Sequence, residues 1–393
     1  MLSLLLFGLV QIIPNAPAAA QFNSGSSGSD GALNLGGQTG TIVFDPVARG
    51  IDPEMDNIFH LTTINIPTGV TLKLSVDKMP NTPVYFLATG PVTIAGTIDL
   101  SGGNGHAGGF NAVRIPSVPG PGGFGGGVAF GPPNGGCSLG SGPGAPFGCC
   151  SRGGGHVDNT CGDNRYGNRF VQPLIGGSGG SGSSSASASS GGGGAGGGAL
   201  LVASSTSVRL DGVIDASGGD GRDAGDGGSG GAIRIAAPLV EGSGRISVDG
   251  GNNASRGRIR MEALNYTFAG QFGFGDVRVV RLTDATVAAP ATAPSSIRVV
   301  SIAGQPAPLQ PTGLFSPPDV TVSSMGAVPI VIEARNIPLS TIAAVTVFNE
   351  TEGVMSAQSS GLAGTLAQST ATANINVPPG FSGVTVDAKW SPE

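Results

Sequence analysis

The chain has few charged residues, and lysine is especially scarce. Only 11% of its 393 residues are charged, and the formal net charge is −6. The lysines are Lys73, Lys78 and Lys389, so no basic stripe is available to neutralise the phosphates of a nucleic acid. The composition therefore predicts that the protein does not bind nucleic acid.

Long apolar runs are also missing. A helix that spans a bilayer needs about 20 apolar residues, and no run in this chain is that long. The longest run, Leu2–Ile13, is followed by Pro14 and then by Ala18-Ala19-Ala20, the order of a signal peptide and its small-residue cleavage site. We expect residues 1–20 to be removed after Ala20, and the mature protein to be secreted or on the cell surface without spanning the membrane. The alternative is a buried N-terminal strand or helix.

Glycine is the residue that the chain has in excess. It contains 71 glycines and 29 prolines, together with 39% apolar residues, which is enough apolar material to build a core. Collagen is excluded because there is no strict Gly-X-Y period. Glycine is therefore expected to serve a particular backbone geometry.

Three segments align without gaps: Val92–Gly105, Val208–Gly221 and Val240–Asn253. Each places an isoleucine between polar residues and ends in a Gly-Gly turn. Alternating strand-like runs that follow glycine begin at Gly198, Gly231 and Gly257. Parallel strands separated by glycine turns, repeated at a regular interval, predict a parallel β-helix-like solenoid.

The alignment predicts which side chains stack in the core. Ile98, Ile214 and Ile246 fall at one repeat position and should form one inward ladder, with Ile233 and Ile259 in the neighbouring ladder. Arginine alternates with these last two, so Arg234 and Arg260 should point outward. On that reasoning Arg234→Ala should cost under about 0.5 kcal/mol.

The domain boundaries follow from composition. Residues 21–282 are expected to form one glycine-rich β-helix-like domain, and the long interval between the first two repeats predicts a protruding Gly/Cys-rich insertion at about 105–190. Residues 283–296 are an Ala/Pro linker. Residues 297–393 contain short strand-like runs at turn-separated intervals, which favour an immunoglobulin-like β-sandwich. The predicted fold class is all-β, a solenoid followed by a sandwich.

Five landmarks carry a family resemblance: Ser29–Asn34, Pro83–Gly90, Ile98–Gly103, Pro173–Gly180 and Gly230–Ile235. With these the chain resembles a group of uncharacterised secreted bacterial proteins that have glycine-rich, parallel β-helix-like repeats. The resemblance covers roughly residues 29–265. It implies a surface or extracellular structural role of the adhesin type, and it supplies no catalytic residue.

Two runs match the nucleophile-elbow pattern G-x-S-x-G, Gly176–Gly180 and Gly227–Gly231. An elbow serine needs an acid and then a histidine downstream. The last histidine is His156, so that triad is impossible and glycine content explains the matches.

Acidic residues in the repeats suggest two further kinds of site. Gly218–Asp223 matches the start of a calcium nonapeptide, although tandem copies are missing and a solvated turn is the favoured interpretation. Asp99 and Asp215 share a repeat position and could act as paired acids in a carbohydrate-active enzyme. Because the third repeat has Ser247 there, outward surface acids are the preferred interpretation.

The four cysteines, Cys137, Cys149, Cys150 and Cys161, all fall in the predicted insertion. Two disulfides are the preferred interpretation for an exported protein, with Cys137 and Cys161 pairing to the adjacent Cys149 and Cys150 in an undetermined connectivity. Free thiols, or a metal bound with His156, are the alternatives, although C-x₂-C spacing is missing.

No catalytic residue, cofactor or metal site is therefore predicted. The sequence favours a non-enzymatic extracellular or cell-surface protein of structural or adhesion type, with self-assembly as one version. Its partner would be a surface or matrix component, either a polysaccharide or further copies of itself. A carbohydrate-active β-helix enzyme, a polysaccharide lyase or glycosidase, is the alternative function, and a calcium-dependent module is a third.

Overall fold

A computed structural model describes most of the chain. The described residues are 22–53, 55–107, 115–128, 139–144, 166–183, 190–282, 295–309, 318–323, 326–349, 353–380, 382–388 and 390. Their regular structure is nearly all β-strand, as predicted; the helical elements in these ranges are α1, Pro46–Arg49, and a single 3₁₀ turn, Gly251–Asn253.

Within its described residues, the N-terminal part, up to residue 282, contains sixteen strands. They are β1 Leu33–Asn34, β2 Gly40–Val43, β3 Ile58–Leu61, β4 Ile64–Ile66, β5 Val70–Lys73, β6 Val84–Ala88, β7 Val92–Ile94, β8 Thr97–Asp99, β9 Ala199–Ser204, β10 Ser207–Leu210, β11 Val213–Asp215, β12 Ala232–Glu241, β13 Arg245–Ser247, β14 Arg258–Tyr266, β15 Gln271–Phe272 and β16 Asp276–Arg281. Most match the alternating runs of the sequence.

These strands form two sheets whose pairings are parallel. The six-stranded sheet has the order β15-β13-β11-β8-β5-β2. The ten-stranded sheet runs β1-β4-β7-β10-β12-β9-β6-β3, and β14 and β16 extend it from β12. The long strand β12 pairs with β9 through its first half and with β10 through its second.

The predicted repeat alignment is confirmed by the strand register. Ile214 of β11 pairs with Ile98 of β8 on one side and with Ile246 of β13 on the other. Ile233 of β12 pairs with Ile259 of β14. All five side chains are fully buried in one apolar core that lies between the two sheets.

The predicted fold class, a glycine-rich parallel β-helix-like solenoid followed by an immunoglobulin-like sandwich, is wrong. The structure instead contains a closed parallel six-stranded β-barrel and parallel sheets. A repeat also supplies three strands, as β9, β10 and β11 show. The error arose because the glycine runs were taken for turns, whereas they pack into a separate bundle described below.

Among the residues that the structure describes after 294, there are eight antiparallel strands: β17 Ser296–Ile302, β18 Gln305–Pro306, β19 Gly326–Arg335, β20 Ile342–Asn349, β21 Gly353–Gly361, β22 Ala363–Gly364, β23 Ser369–Val377 and β24 Ser382–Ala388. They form a five-stranded sheet, β18-β17-β19-β23-β22, and a three-stranded sheet, β21-β20-β24. This differs from the four-plus-three arrangement of an immunoglobulin constant domain. The sequence also favours a strand-like run that starts at Val320, but its described residues 320–323 are not a strand. Alternation does not indicate β21, because that strand is rich in serine and glycine.

Candidate functional site

The glycine-rich segments outside the strands pack side by side in what we call the glycine bundle. It comprises residues 100–107, 115–128, 139–144, 176–183, 190–198 and 216–231, and most of these residues are buried. The segment 190–198 lies at its centre and leads directly into β9.

Hydrogen bonds in the bundle recur at every third residue. Amides from residues 192–198 donate to carbonyls of residues 100–106 at 2.8–2.9 Å, and a second series from 193–199 donates to residues 121–127 at 2.7–2.8 Å. Further bonds join the central segment to residues 177–183 and 226–229. A three-residue period with bonds only between segments is typical of the polyproline II conformation.

Glycine is required at the centre because neighbouring backbones approach too closely for a side chain. A Cβ placed on Gly196 would lie 1.7 Å from the carbonyl oxygen of Gly177, and one on Gly194 would lie 1.9 Å from that of Gly219. The glycine excess in the sequence therefore serves backbone packing.

The end of the bundle away from β9, which we call the distal end, gathers several chain segments. Gly192 donates to the carbonyl of His106 at 2.8 Å, and Arg222 donates to the carbonyl of Gly192 at 2.9 Å. Burial lowers the pKa of His106, because desolvation disfavours the charged imidazolium. The intervals 108–114, 129–138 and 184–189, outside the described residues, directly follow Ala107, Val128 and Ser183 of this end.

The insertion predicted at about 105–190 was expected to protrude. Its described segments 115–128 and 176–183 instead form hydrogen bonds with the central segment 190–198 and are largely buried. For these segments the expectation is wrong, because glycine lets them pack backbone against backbone.

The serines of the two elbow-like motifs lie beside each other inside the bundle. The amide of Ser178 donates to Oγ of Ser229 at 2.7 Å, and both residues are fully buried. Oγ of Ser178 accepts from the amide of Gly144 at 2.8 Å. The hydroxyls satisfy backbone groups, so the motifs contribute to packing and present no exposed nucleophile.

Asp99 and Asp215 are brought together on the outer side of the six-stranded sheet, where their strands pair in register. Asp99 forms an ion pair with Nζ of Lys73 at 3.0 Å, and its carboxylate accepts from Ser101. Burial raises the pKa of Asp99, but hydrogen bonds from Ser101 and Lys73 outweigh it and leave the pKa below its usual range. An ionised, paired carboxylate is poorly suited to act as a general acid.

The turn that resembles a calcium nonapeptide is held by side-chain ladders. Asn104 accepts from the amide of Asp220 at 2.8 Å, and Asp220 accepts from the amide of Asn252 at 2.8 Å. Asp223 lies near Arg222, at 3.9 Å. The carboxylate of Asp220 is thus used to tie neighbouring repeats together.

The cysteines and His156 lie outside the described residues, so their pairing stays a prediction. In the ranges that the structure describes, no group of three or more His, Cys, Asp or Glu side chains could hold a metal ion. Within the same ranges, no helix is long and apolar enough to cross a membrane.

Sequence reasoning placed Arg234 outward on the surface, and that was wrong. Its side chain is only 5% exposed, and its Nε donates to Glu262 Oε1 at 3.0 Å. Arg260 donates to the same oxygen. Burial raises the pKa of Glu262, but the hydrogen bonds and charges of the two guanidiniums outweigh burial and leave this pKa below its usual range. A second apolar cluster, with Tyr85 and Leu174, covers this outer side of the sheet.

A second buried group was missed as well. The carboxylate of Asp52, in a residue only 5% exposed, accepts from the amides of Asp56 at 3.1 Å and Asn57 at 3.0 Å. Burial raises the pKa of Asp52 to about 7, and the neighbouring Asp56 carboxylate contributes. No hydrophobic period marks such a loop, so the sequence offered no signal for it.

Comparisons of the chain with protein-family models, with curated proteins and with solved structures found no match. The functional argument therefore depends on the geometry of this chain alone.

Proposed function

We propose that the protein is a non-enzymatic extracellular or cell-surface protein of structural or adhesion type, in which the glycine bundle positions chain segments for contact with a surface partner. The observation that carries the proposal is the packing at the distal end, where the described residues His106, Gly127 and Ser183 are all hydrogen-bonded to the central segment 190–198. At Gly194 and Gly196 the backbones of this scaffold pack too closely for a side chain. Loops positioned by a rigid scaffold are where proteins commonly place binding residues.

The paired acids of the repeats support a non-enzymatic role over a carbohydrate-active enzyme. Asp99 is ionised and paired with Lys73, and Ser178 and Ser229 are buried in the bundle. The apolar N-terminal run and its Ala-Ala-Ala site support export, and the resemblance to secreted glycine-rich proteins supports a surface location.

Measurements of location and of binding test this proposal together. Fractionation of the producing cells should place the mature chain in the medium or the envelope, and mass spectrometry should find cleavage after Ala20. Labelled full-length protein should adhere to the envelope fraction while releasing no reducing ends from a panel of acidic and neutral polysaccharides.

A chain confined to the cytosol would contradict the location. Catalytic depolymerisation of any polysaccharide in the panel, abolished by Asp215→Asn, would establish the alternative enzyme function. Asp215 pairs in register with Asp99. Asp215→Asn would therefore disrupt the paired acids that a carbohydrate-active enzyme would need.

A further inference from the structure

Arginines form a row across the three strands at one end of the ten-stranded sheet. Arg234 of β12 pairs in register with Arg260 of β14, and Arg260 pairs in register with Arg278 of β16. Directly paired residues on parallel strands point to the same side of the sheet, with a spacing of about 4.8 Å between strands. We call the outer side of these strands, with Arg258 and the adjoining Arg169, the arginine face.

Among the described residues, arginines on this face outnumber carboxylates. Glu262 is shared by Arg234 and Arg260, and Asp276 is shared by Arg258 at 3.0 Å and Arg278 at 3.3 Å. The face has five guanidiniums, with Arg169 included, against these two carboxylates among the described residues, so positive charge is in excess there. This excess stands out in a chain whose formal net charge is −6, so it creates a local positive potential.

The row becomes more exposed toward the edge of the sheet. The side chain of Arg234 is 5% exposed, that of Arg260 is 14% exposed and that of Arg278 is 58% exposed. The buried members hold the row in place, because Glu262 fixes two of them by hydrogen bonds. Arg278 is therefore presented to solvent with its guanidinium already oriented by Asp276.

A further arginine, Arg169, lies at the exposed margin and packs against Phe170. The ring of Phe170, 48% exposed, lies under the guanidinium of Arg169 at 5.0 Å and under that of Arg260 at 5.5 Å. Arg260 also donates to the carbonyl of Arg169 at 3.2 Å. The aromatic ring thus holds Arg169 beside the row without using a carboxylate.

We infer that the arginine face binds an acidic polysaccharide, with guanidiniums at the exposed margin contacting carboxylates on neighbouring sugar units. Guanidinium groups bind carboxylates in a bidentate, planar geometry, and the low lysine content of the chain favours carboxylates over a nucleic-acid backbone as the partner. This partner class depends on the surface role proposed above.

The test measures the affinity of the full-length protein for polygalacturonate by affinity electrophoresis and calorimetry. The double variant Arg278→Gln/Arg169→Gln removes two exposed guanidiniums while leaving the buried pairs intact. We expect it to weaken binding by roughly tenfold or more, since hydrogen bonds to charged groups are the strong ones. The matched control is Arg209→Gln. Arg209 lies on β10, is 54% exposed and forms ion pairs with Asp211 and Glu241. Its substitution should change the affinity less than about twofold.

Neutral dextran should not bind, and duplex DNA at equal charge concentration should not compete. Competition by DNA, an equal loss in Arg209→Gln, or no saturable binding of polygalacturonate by the unmodified protein would each overturn the inference. If the protein adheres to the envelope but does not bind polygalacturonate, the inferred binding site is wrong and the proposed function is unaffected. Cleavage of polygalacturonate would instead sink the proposed function.

Discussion

The glycine bundle makes its strongest prediction at Gly196, at the centre of the packed segments. A Cβ there would lie 1.7 Å from the carbonyl oxygen of Gly177, so Gly196→Ala must push the two segments apart by about 1.5–2 Å to reach van der Waals distance. That shift would break the bond from Gly177 to the Gly197 carbonyl, now 2.7 Å, and that from Gly180 to the Gly194 carbonyl, now 2.9 Å.

Each buried backbone group left without a partner costs about 1–3 kcal/mol. The gain from restricting the unfolded chain when alanine replaces glycine is only about 0.4–1 kcal/mol. We therefore expect Gly196→Ala to destabilise the N-terminal part by roughly 3–5 kcal/mol. Denaturant unfolding followed by circular dichroism measures this, and hydrogen exchange of the peptide covering residues 190–198 localises it.

The matched control is Gly125→Ala, in the same bundle. A Cβ on Gly125 would come no closer than 3.4 Å to the carbonyl oxygen of Ser117, which is an ordinary contact. That variant should stay within about 0.5 kcal/mol of the parent. Equal costs for the two variants would refute the close packing, and with it the scaffold on which the proposed function depends.

Three more predictions concern buried side chains, two on the sheets and one in a loop. Ile214→Ala should cost about 2–5 kcal/mol in denaturant unfolding, because a fully buried aliphatic leaves a cavity; a cost under about 1 kcal/mol would contradict the core. Arg234→Ala should lower the free energy of unfolding by about 2–4 kcal/mol, because Glu262 loses one buried partner. If the free energy of unfolding falls no more than for substitution of an exposed arginine, the Arg234–Glu262 ion pair does not stabilise the fold. Asp52 has a folded-state pKa raised to about 7 from 3.8, so its contribution to stability is lost as pH rises between those values. Asp52→Asn should therefore show a smaller fall in melting temperature from pH 4 to pH 8 than the parent, and parallel profiles would argue against a shifted Asp52.

Period-two alternation was enough to find most strands of the N-terminal part and to set their register. Ile98, Ile214 and Ile246 sit at one position of the aligned repeats, and because side chains in strands alternate, equal positions must face the same core. Alternation also placed Arg234 opposite Ile233 correctly. It did not show whether the outer side of the sheet would be covered.

The covering of that outer side is what sequence reasoning missed. Tyr85, Leu87 and Leu201 are apolar at positions that alternation assigns outward, and Val171 and Leu174 pack over them. Strands with apolar residues on both sides, such as β6 and β9, indicate a sheet covered on both sides. That signal was present in the sequence, and applied to β12 it would have predicted a buried, paired Arg234.

No comparable signal exists for the glycine bundle, since its order lies in the backbone. A three-residue hydrogen-bond period leaves no hydrophobic pattern when the side chain is a hydrogen atom, so the same composition fits a flexible linker. Hydrogen bonds to several neighbouring segments distinguish the two cases, and these are visible only once the chain is folded.

The bundle also limits where function can reside. Ordering glycine loses more conformational entropy than ordering any other residue, so a segment such as 190–198 is a costly way to connect two strands. That cost is offset only by backbone approaches such as the one at Gly196, where no side chain is tolerated and no functional group can project. Among the described residues, side chains that can carry chemistry therefore lie at the margins of the bundle, such as His106 and Arg222 at its distal end, or on the sheets that support it. The arginine face is one such place, because there a fixed backbone presents an exposed guanidinium.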